Sequence, residues 1–162
     1  MQLESMYQEI ILDHYRRPKG RGLREPYDVE VHHVNPTCGD EITLRVRLSG
    51  NGIEDVSYEG MGCSISQASA SVLYELVEGR DIAAALATGD DFRTLMQSKG
   101  DPAVAEKLED SLEDAVAFAG VSKYPSRIKC ALMSWMALKD ATAQALAAHE
   151  QSSSQATGKE NR

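Results

Sequence analysis

The chain has 162 residues and a formal net charge of −8, with 42% hydrophobic and 26% charged side chains. This length suits one domain that buries its own core without disulfides. The negative charge argues against nucleic acid or an anionic membrane as a partner, and no apolar run reaches the roughly 18 residues of a membrane span. The first residues lack the features of a signal peptide, so we expect a cytoplasmic protein whose three cysteines stay reduced.

The first sixty residues predict one helix followed by an antiparallel meander. Apolar residues recur with helical spacing over residues 3–16, and Pro18 and Gly20 then end the helix. Alternation of apolar and polar residues predicts strands over 27–34, 41–48 and 53–59.

The rest of the chain has the spacing of helices. They are predicted over 64–78, 81–98, 103–118 and 126–148, and Ser64 and Gln67 fit a capping box at the first of them. Strands followed by helices indicate an α+β fold, a three-stranded antiparallel sheet with helices packed on one face. We expect a single domain over residues 1–148 and a disordered polar tail over 149–162, which is rich in serine.

All three cysteines fall near the ends of predicted elements. Cys38 lies in the segment Asn35–Asp40, a predicted turn between two strands, and Asp40 can point to the same side of that turn. Cys63 directly precedes a predicted helix, and Cys130 lies close to the start of the last one. The positive end of a helix dipole favours a thiolate over a thiol. These positions are typical of reactive or metal-binding cysteines.

Three thiolates and one carboxylate form a four-coordinate ligand set that zinc accepts. The candidate ligands are Cys38, Asp40, Cys63 and Cys130. With zinc their formal charge is about −2, which Arg127 and Lys129 could offset unless they contact a partner instead. The chain has no C-x-x-C pair, however, so spacing alone favours buried structural cysteines over a metal site.

Four segments carry a family resemblance. They are Tyr7–Pro18, Asn35–Asp40, Gly60–Ser69 and Arg127–Leu132. Together and in this order they resemble the motifs of SufU-type proteins, a branch of the IscU/NifU-like scaffold family. IscU-type scaffolds carry a histidine immediately before the last cysteine, where this chain has Lys129, and the stretch from Cys63 to Cys130 is long. Both features favour the SufU type.

The resemblance implies a fold, a cofactor and a partner. SufU-type proteins bind zinc through residues that match Cys38, Asp40, Cys63 and Cys130. They accept persulfide sulfur from a SufS-type, pyridoxal-phosphate-dependent cysteine desulfurase and pass it toward the other proteins of the SUF system. The acceptor matches Cys38, and a ligand exchange at zinc is thought to free it. We expect a monomer that docks on the desulfurase. Whether it is itself an enzyme, a zinc-dependent sulfurtransferase, is left open.

Three other functions use the same residues. The cysteines could instead assemble a transient iron–sulfur cluster, which would make the protein a scaffold. A purely structural zinc site is a second alternative, which the weakly held aspartate ligand argues against. A cysteine hydrolase is the third, and no motif places a histidine beside a cysteine to support it. His14, His32 and His33 are interpreted as packing, surface or partner-contact residues.

Overall fold

The computed structural model describes the backbone of residues 2–36 and 38–160 and the side chains of residues 4–36 and 38–148. Its elements in chain order are α1 (Gln2–Arg16), β1 (Val29–Asn35), β2 (Asp40–Ser49), β3 (Gly52–Met61), α2 (Ser64–Val77), α3 (Ile82–Met96), α4 (Pro102–Leu112), a 3₁₀ helix (Glu113–Lys123) and α5 (Pro125–Glu160). Within these ranges no helix is both long enough and apolar enough to cross a membrane.

The three strands form one antiparallel sheet in the order β1-β2-β3. Strand β2 shows why the sheet is amphipathic. Its alternate residues Ile42, Leu44, Val46 and Leu48 are buried, and the residues between them are partly exposed. Side chains of a strand point alternately to its two faces, so one face of the sheet must be covered. The predicted α+β fold is confirmed.

Helices α5 and α2 cover that buried face. Helix α5 packs on β1 and β2, α2 packs on β3, and α1 lies against α2 and the 3₁₀ helix. Behind them the ring of Phe92 stacks on Trp135 at 5.0 Å and meets Phe118 edge-on at 5.6 Å. The core therefore fixes the start of α5, which carries Cys130, against the end of β1 and the start of β2.

The helix predicted over 103–118 is wrong in its second half. Helix α4 ends at Leu112, and Glu113 takes a φ of +47°, which an α-helix cannot accommodate. A 3₁₀ helix follows. This break turns Asp114 toward the buried His14 of α1, so a contact that is distant in sequence overrides the local helical pattern.

The predicted capping box is also wrong. The residue that caps α2 is Cys63, one position before Ser64, and its side chain makes no capping hydrogen bond. The side chain of Gln67 donates instead to the carbonyl of Gly62 at 2.9 Å. Cys63 itself therefore stands at the positive end of the helix dipole.

The last helix is longer than predicted. Its backbone is helical from Pro125 to Glu160, beyond the predicted end at residue 148. No proline and only Gly158 occur between 149 and 160, so no strong helix breaker stops it. The side chains from 149 onward, and residues 161–162 altogether, lie outside the described residues. Disorder of the tail 149–162 stays a prediction.

Candidate metal centre

Cys38 lies on the short turn that joins β1 to β2. The carbonyl of Asn35 accepts hydrogen bonds from the backbone N–H groups of Cys38, at 3.2 Å, and of Gly39, at 2.9 Å. Gly39 has a φ of +71°, which glycine adopts without strain. The turn holds Cys38 at the surface, where its side chain is exposed.

Cys130 forms the buried side of the same group. It lies in the second turn of α5, is fully buried, and its Sγ is 3.2 Å from the Sγ of Cys38. Both sulfurs also lie 3.7 Å from the carbonyl oxygen of Ser126, at the start of α5. The pair thus spans the boundary between solvent and core.

Asp40 connects the third cysteine to this pair. Its carboxylate is fully buried at the start of β2 and accepts a hydrogen bond from the backbone N–H of Cys63 at 3.0 Å. The Sγ of Cys63 lies 3.9 Å from the other carboxylate oxygen. Gly62 permits this approach, since a Cβ there would stand 2.4 Å from Asp40 Oδ1, and its φ is +155°. The sequence analysis did not single out Gly62 as part of the site.

The structure brings the predicted ligands together unequally. The ligand atoms of Cys38, Asp40 and Cys130 all lie within 4.8 Å of one another. Cys63 is outside that trio and adjoins it through Asp40. Arg127 and Lys129 are both exposed near the start of α5, so their suggested part in charge compensation or partner contact stays a prediction.

The chemistry of this donor set suits a divalent metal. Burial raises the pKa of the Cys130 thiol, and hydrogen bonds with Asp40 and Cys38 and the nearby Cys63 raise it further. A buried anion beside other potential anions is unstable unless a cation offsets its charge. Three sulfurs and one carboxylate oxygen are ligands that zinc takes in four-coordinate sites. The residues present therefore fit zinc.

The histidines make contacts away from the cysteines. His14 is buried and bonds Ser71 Oγ at 2.7 Å through Nδ1 and Asp114 Oδ2 at 3.0 Å through Nε2. His32 lies 2.9 Å from Thr43 Oγ1, and His33 lies 2.8 Å from a carboxylate oxygen of Asp140 in α5. The interpretation as packing and surface residues agrees with these contacts.

A second group of potential ligand atoms surrounds His14, and the sequence analysis missed it. The ligand atoms of His14, Glu75 and Asp114 lie within 4.8 Å of one another. Lys19 forms an ion pair with Glu75. No local pattern predicts the contact of Asp114 with a histidine 100 residues away.

Comparison with known proteins identifies the family. The sequence model of the family described as the NifU-like N terminal domain matches residues 6–131. The chain belongs to this NifU-like family. Over 143 residues it is 42% identical to the zinc-dependent sulfurtransferase SufU of Bacillus subtilis, a match covering 87% of this chain and 92% of that protein.

Other NifU-like proteins show the same likeness. The iron–sulfur cluster assembly scaffold protein IscU of Streptococcus pyogenes is 40% identical over 139 residues, covering 86% of this chain and 84% of that protein. A crystal structure from Fervidobacterium islandicum, described as a cluster assembly scaffold for the SUF system, has a TM-score of 0.73 and 34% identity. It covers 83% of this chain and 95% of that one. The resemblance to SufU-type proteins is confirmed.

Proposed function

We propose that this NifU-like protein is a zinc-dependent sulfur acceptor that takes persulfide sulfur from a SufS-type cysteine desulfurase for iron–sulfur cluster assembly. One observation carries the proposal. The exposed thiol of Cys38 stands 3.2 Å from the buried Cys130, within a group that also contains the buried carboxylate of Asp40. An acceptor needs one reachable sulfur, and the other groups hold it in a defined place.

The transfer is an exchange between sulfur atoms. The thiolate of Cys38 attacks the outer sulfur of a cysteine persulfide on the desulfurase. A bond forms between Cys38 Sγ and that sulfur while the S–S bond of the donor breaks. The donor cysteine leaves as a thiolate, and Cys38 becomes a persulfide. No external oxidant or reductant is required, because one sulfur–sulfur bond replaces another.

The four candidate ligands have different roles in this transfer. Asp40 and Cys130 lie on regular elements and Cys63 caps α2, whereas Cys38 lies on a turn. Cys38 can therefore leave the group with the smallest movement of backbone. When bound, zinc would keep the thiols deprotonated near neutral pH. Cys38, Asp40, Cys63 and Cys130 would hold it.

A second function uses the same cysteines. Three thiolates and a carboxylate can also hold a nascent iron–sulfur cluster as cargo, and a relative named as an IscU scaffold is 40% identical. Lys129 favours the sulfur acceptor, because a protonated lysine has no lone pair to offer a metal. The scaffold stays the alternative.

Metal analysis and a desulfurase assay distinguish the two functions. The purified protein is analysed for zinc, iron and acid-labile sulfide, and a SufS-type desulfurase is assayed with and without it. We expect about one zinc per chain, from the single four-ligand set, no labile sulfide, and strong stimulation of the desulfurase. Cys38→Ala should abolish that stimulation. Iron and sulfide in a coloured protein, with little stimulation, would support the scaffold instead.

The reaction sets conditions on the protein's surroundings. Thiols that serve as ligands and acceptors need a reducing compartment, which agrees with the proposed cytoplasmic location.

We further propose that the protein acts as a monomer docked on the desulfurase, and that its sulfur passes on to other SUF proteins. Size measurement of the free protein and of a mixture with the desulfurase tests the docking.

A further inference from the structure

The buried side chain of Asn35, beside the candidate metal centre, has a hydrogen-bond donor without a partner. Among the side chains that the structure describes, two buried polar atoms have no hydrogen-bond partner, Asn35 Nδ2 and Ser134 Oγ. Asn35 is only 9% exposed. Burying an unpaired amide costs free energy that an apolar residue of the same shape would avoid. The position of Asn35 suggests which group its side-chain N–H could bond.

The strand register places Asn35 next to a candidate ligand. Asn35 pairs directly with Asp40 across the β1–β2 ladder. Side chains of directly opposed residues stand on the same face of a sheet, about 5 Å apart at Cβ. Asp40 is buried on the face that α5 covers, and α5 carries Cys130. The amide of Asn35 therefore lies on the same side of the sheet as the buried half of the site.

The backbone of Asn35 already serves this site. Its carbonyl accepts the hydrogen bonds from Cys38 and Gly39 that shape the turn. Asn35 thus shapes the turn of Cys38 through its main chain and places its side chain on the same face of the sheet as Asp40.

We propose that Asn35 is a positioning residue whose side-chain amide donates a hydrogen bond to the anionic ligand group when a divalent metal is bound. The inference rests on the proposed metal site. A thiol sulfur is a weak acceptor, and the side-chain amide of Asn35 has no hydrogen-bond partner among the described residues. Thiolates and a carboxylate around a metal are strong acceptors, and outer hydrogen bonds of this kind stabilise metal sites.

The proposal predicts effects of opposite sign in the two forms of the protein. Asn35→Leu keeps the approximate shape and removes the donor. It should leave the melting temperature of the metal-free protein unchanged or raised, because an unpaired polar group is gone. It should lower zinc affinity by about tenfold or more, a typical cost of losing an outer hydrogen bond at a metal site. A residue needed only for packing would destabilise both forms equally.

The experiment uses zinc alone as the probe and the full chain. Zinc affinity is measured by competition with a chelator, and melting is followed with and without zinc. Asn35→Asp should lose more affinity than Asn35→Leu, since it removes the donor and adds a negative charge beside the ligands. Asn51→Asp, in the exposed turn at the far end of β2, adds the same charge away from the site and should bind zinc normally.

Cobalt provides a readout that packing would not change. The charge-transfer band from thiolate to cobalt should move to longer wavelength in Asn35→Leu, because a sulfur that loses a hydrogen bond gives up its electrons more easily. Wild-type affinity and an unshifted band in Asn35→Leu would overturn the role of Asn35 alone. Failure of the wild-type chain to bind zinc would overturn the metal site and this inference with it.

Discussion

Within the part of the chain that the structure describes, two groups of potential ligand atoms have similar distances between their atoms and different surroundings. Cys38, Asp40 and Cys130 form one, and His14, Glu75 and Asp114 form the other, each with its ligand atoms within 4.8 Å. The second group already has its charges and donors paired, with Lys19 on Glu75 and with Ser71 and Asp114 on His14. The first has an unpaired donor beside it and a buried cysteine whose thiolate form would need a cation to offset its charge. Proximity alone does not define a metal site.

The largest expected difference between the two groups is in zinc content. Asp40→Ala removes a candidate ligand and leaves the N–H of Cys63 without its acceptor. We expect it to lose most of its zinc, whereas Asp114→Ala should retain a full complement. Metal analysis after dialysis against a weak chelator measures both. Equal zinc loss from the two variants would mean that the His14 group also binds metal.

A methyl group at Gly62 should disturb the group of Cys38, Asp40 and Cys130 by displacing the Asp40 carboxylate. The new Cβ would stand 2.4 Å from Asp40 Oδ1, and the φ of +155° is strained for alanine. We expect Gly62→Ala to weaken zinc binding by at least about tenfold and to destabilise the fold by about 1–3 kcal/mol.

Gly120→Ala is the matched control for Gly62→Ala. Gly120 is exposed, and an alanine Cβ at this position would meet no atom within 4 Å. The free energy of unfolding should therefore change by no more than about 0.5 kcal/mol, and zinc affinity should stay intact. If Gly62→Ala behaved like Gly120→Ala, the close approach of Asp40 would not matter for binding.

The second group should matter for stability rather than for metal. His14→Leu removes a buried hydrogen bond that joins α1 to α2 and a partly buried one that joins α1 to the 3₁₀ helix. We expect a loss of about 2–3 kcal/mol in the free energy of unfolding, measured by urea denaturation, with unchanged zinc content. Loss of zinc without loss of stability would contradict this assignment.

The smallest effect is expected where α5 is tied to β1. A hydrogen bond from His33 lowers the pKa of Asp140, and Gln144 adds to this. A lowered carboxyl pKa gives stability that is complete above the ordinary value, about 4, and is lost as the pH falls through the folded value. Asp140→Asn should therefore lower the melting temperature slightly at pH 7, and the difference should shrink as the pH falls below about 4. A gap that persists at the lower pH would exclude this explanation.

The elements that the sequence predicted are those with strong local periodicity. All three strands and the helices before residue 100 follow from alternation, helical spacing and glycine or proline boundaries. The break at Glu113 does not, because the contact between Asp114 and His14 joins residues 100 positions apart. Local patterns carry no information about such a contact.

The candidate site was found by motif resemblance and refined only by the structure. Cys38, Asp40 and Cys130 do lie together, and Cys63 adjoins them through Asp40. Two further features involve Gly62, whose backbone closely approaches Asp40, and Asn35, which the strand register places opposite Asp40. These features exist only once the sheet has formed, so composition and spacing could not reveal them.

The turn that carries Cys38 also limits how far a sulfur atom can travel. Only four residues separate Asn35 in β1 from Asp40 in β2, and both ends are fixed in the ladder. A chain spans at most about 3.6 Å per residue, so the tip of this turn can rise about 9 Å above the strand ends at full stretch. Cys38 can therefore move only a short distance from the strand ends. In the proposed sulfur transfer, a donor would have to bring its persulfide to this surface, on a protruding segment or in a shallow recess, and a donor sulfur held in a deep channel would be out of reach.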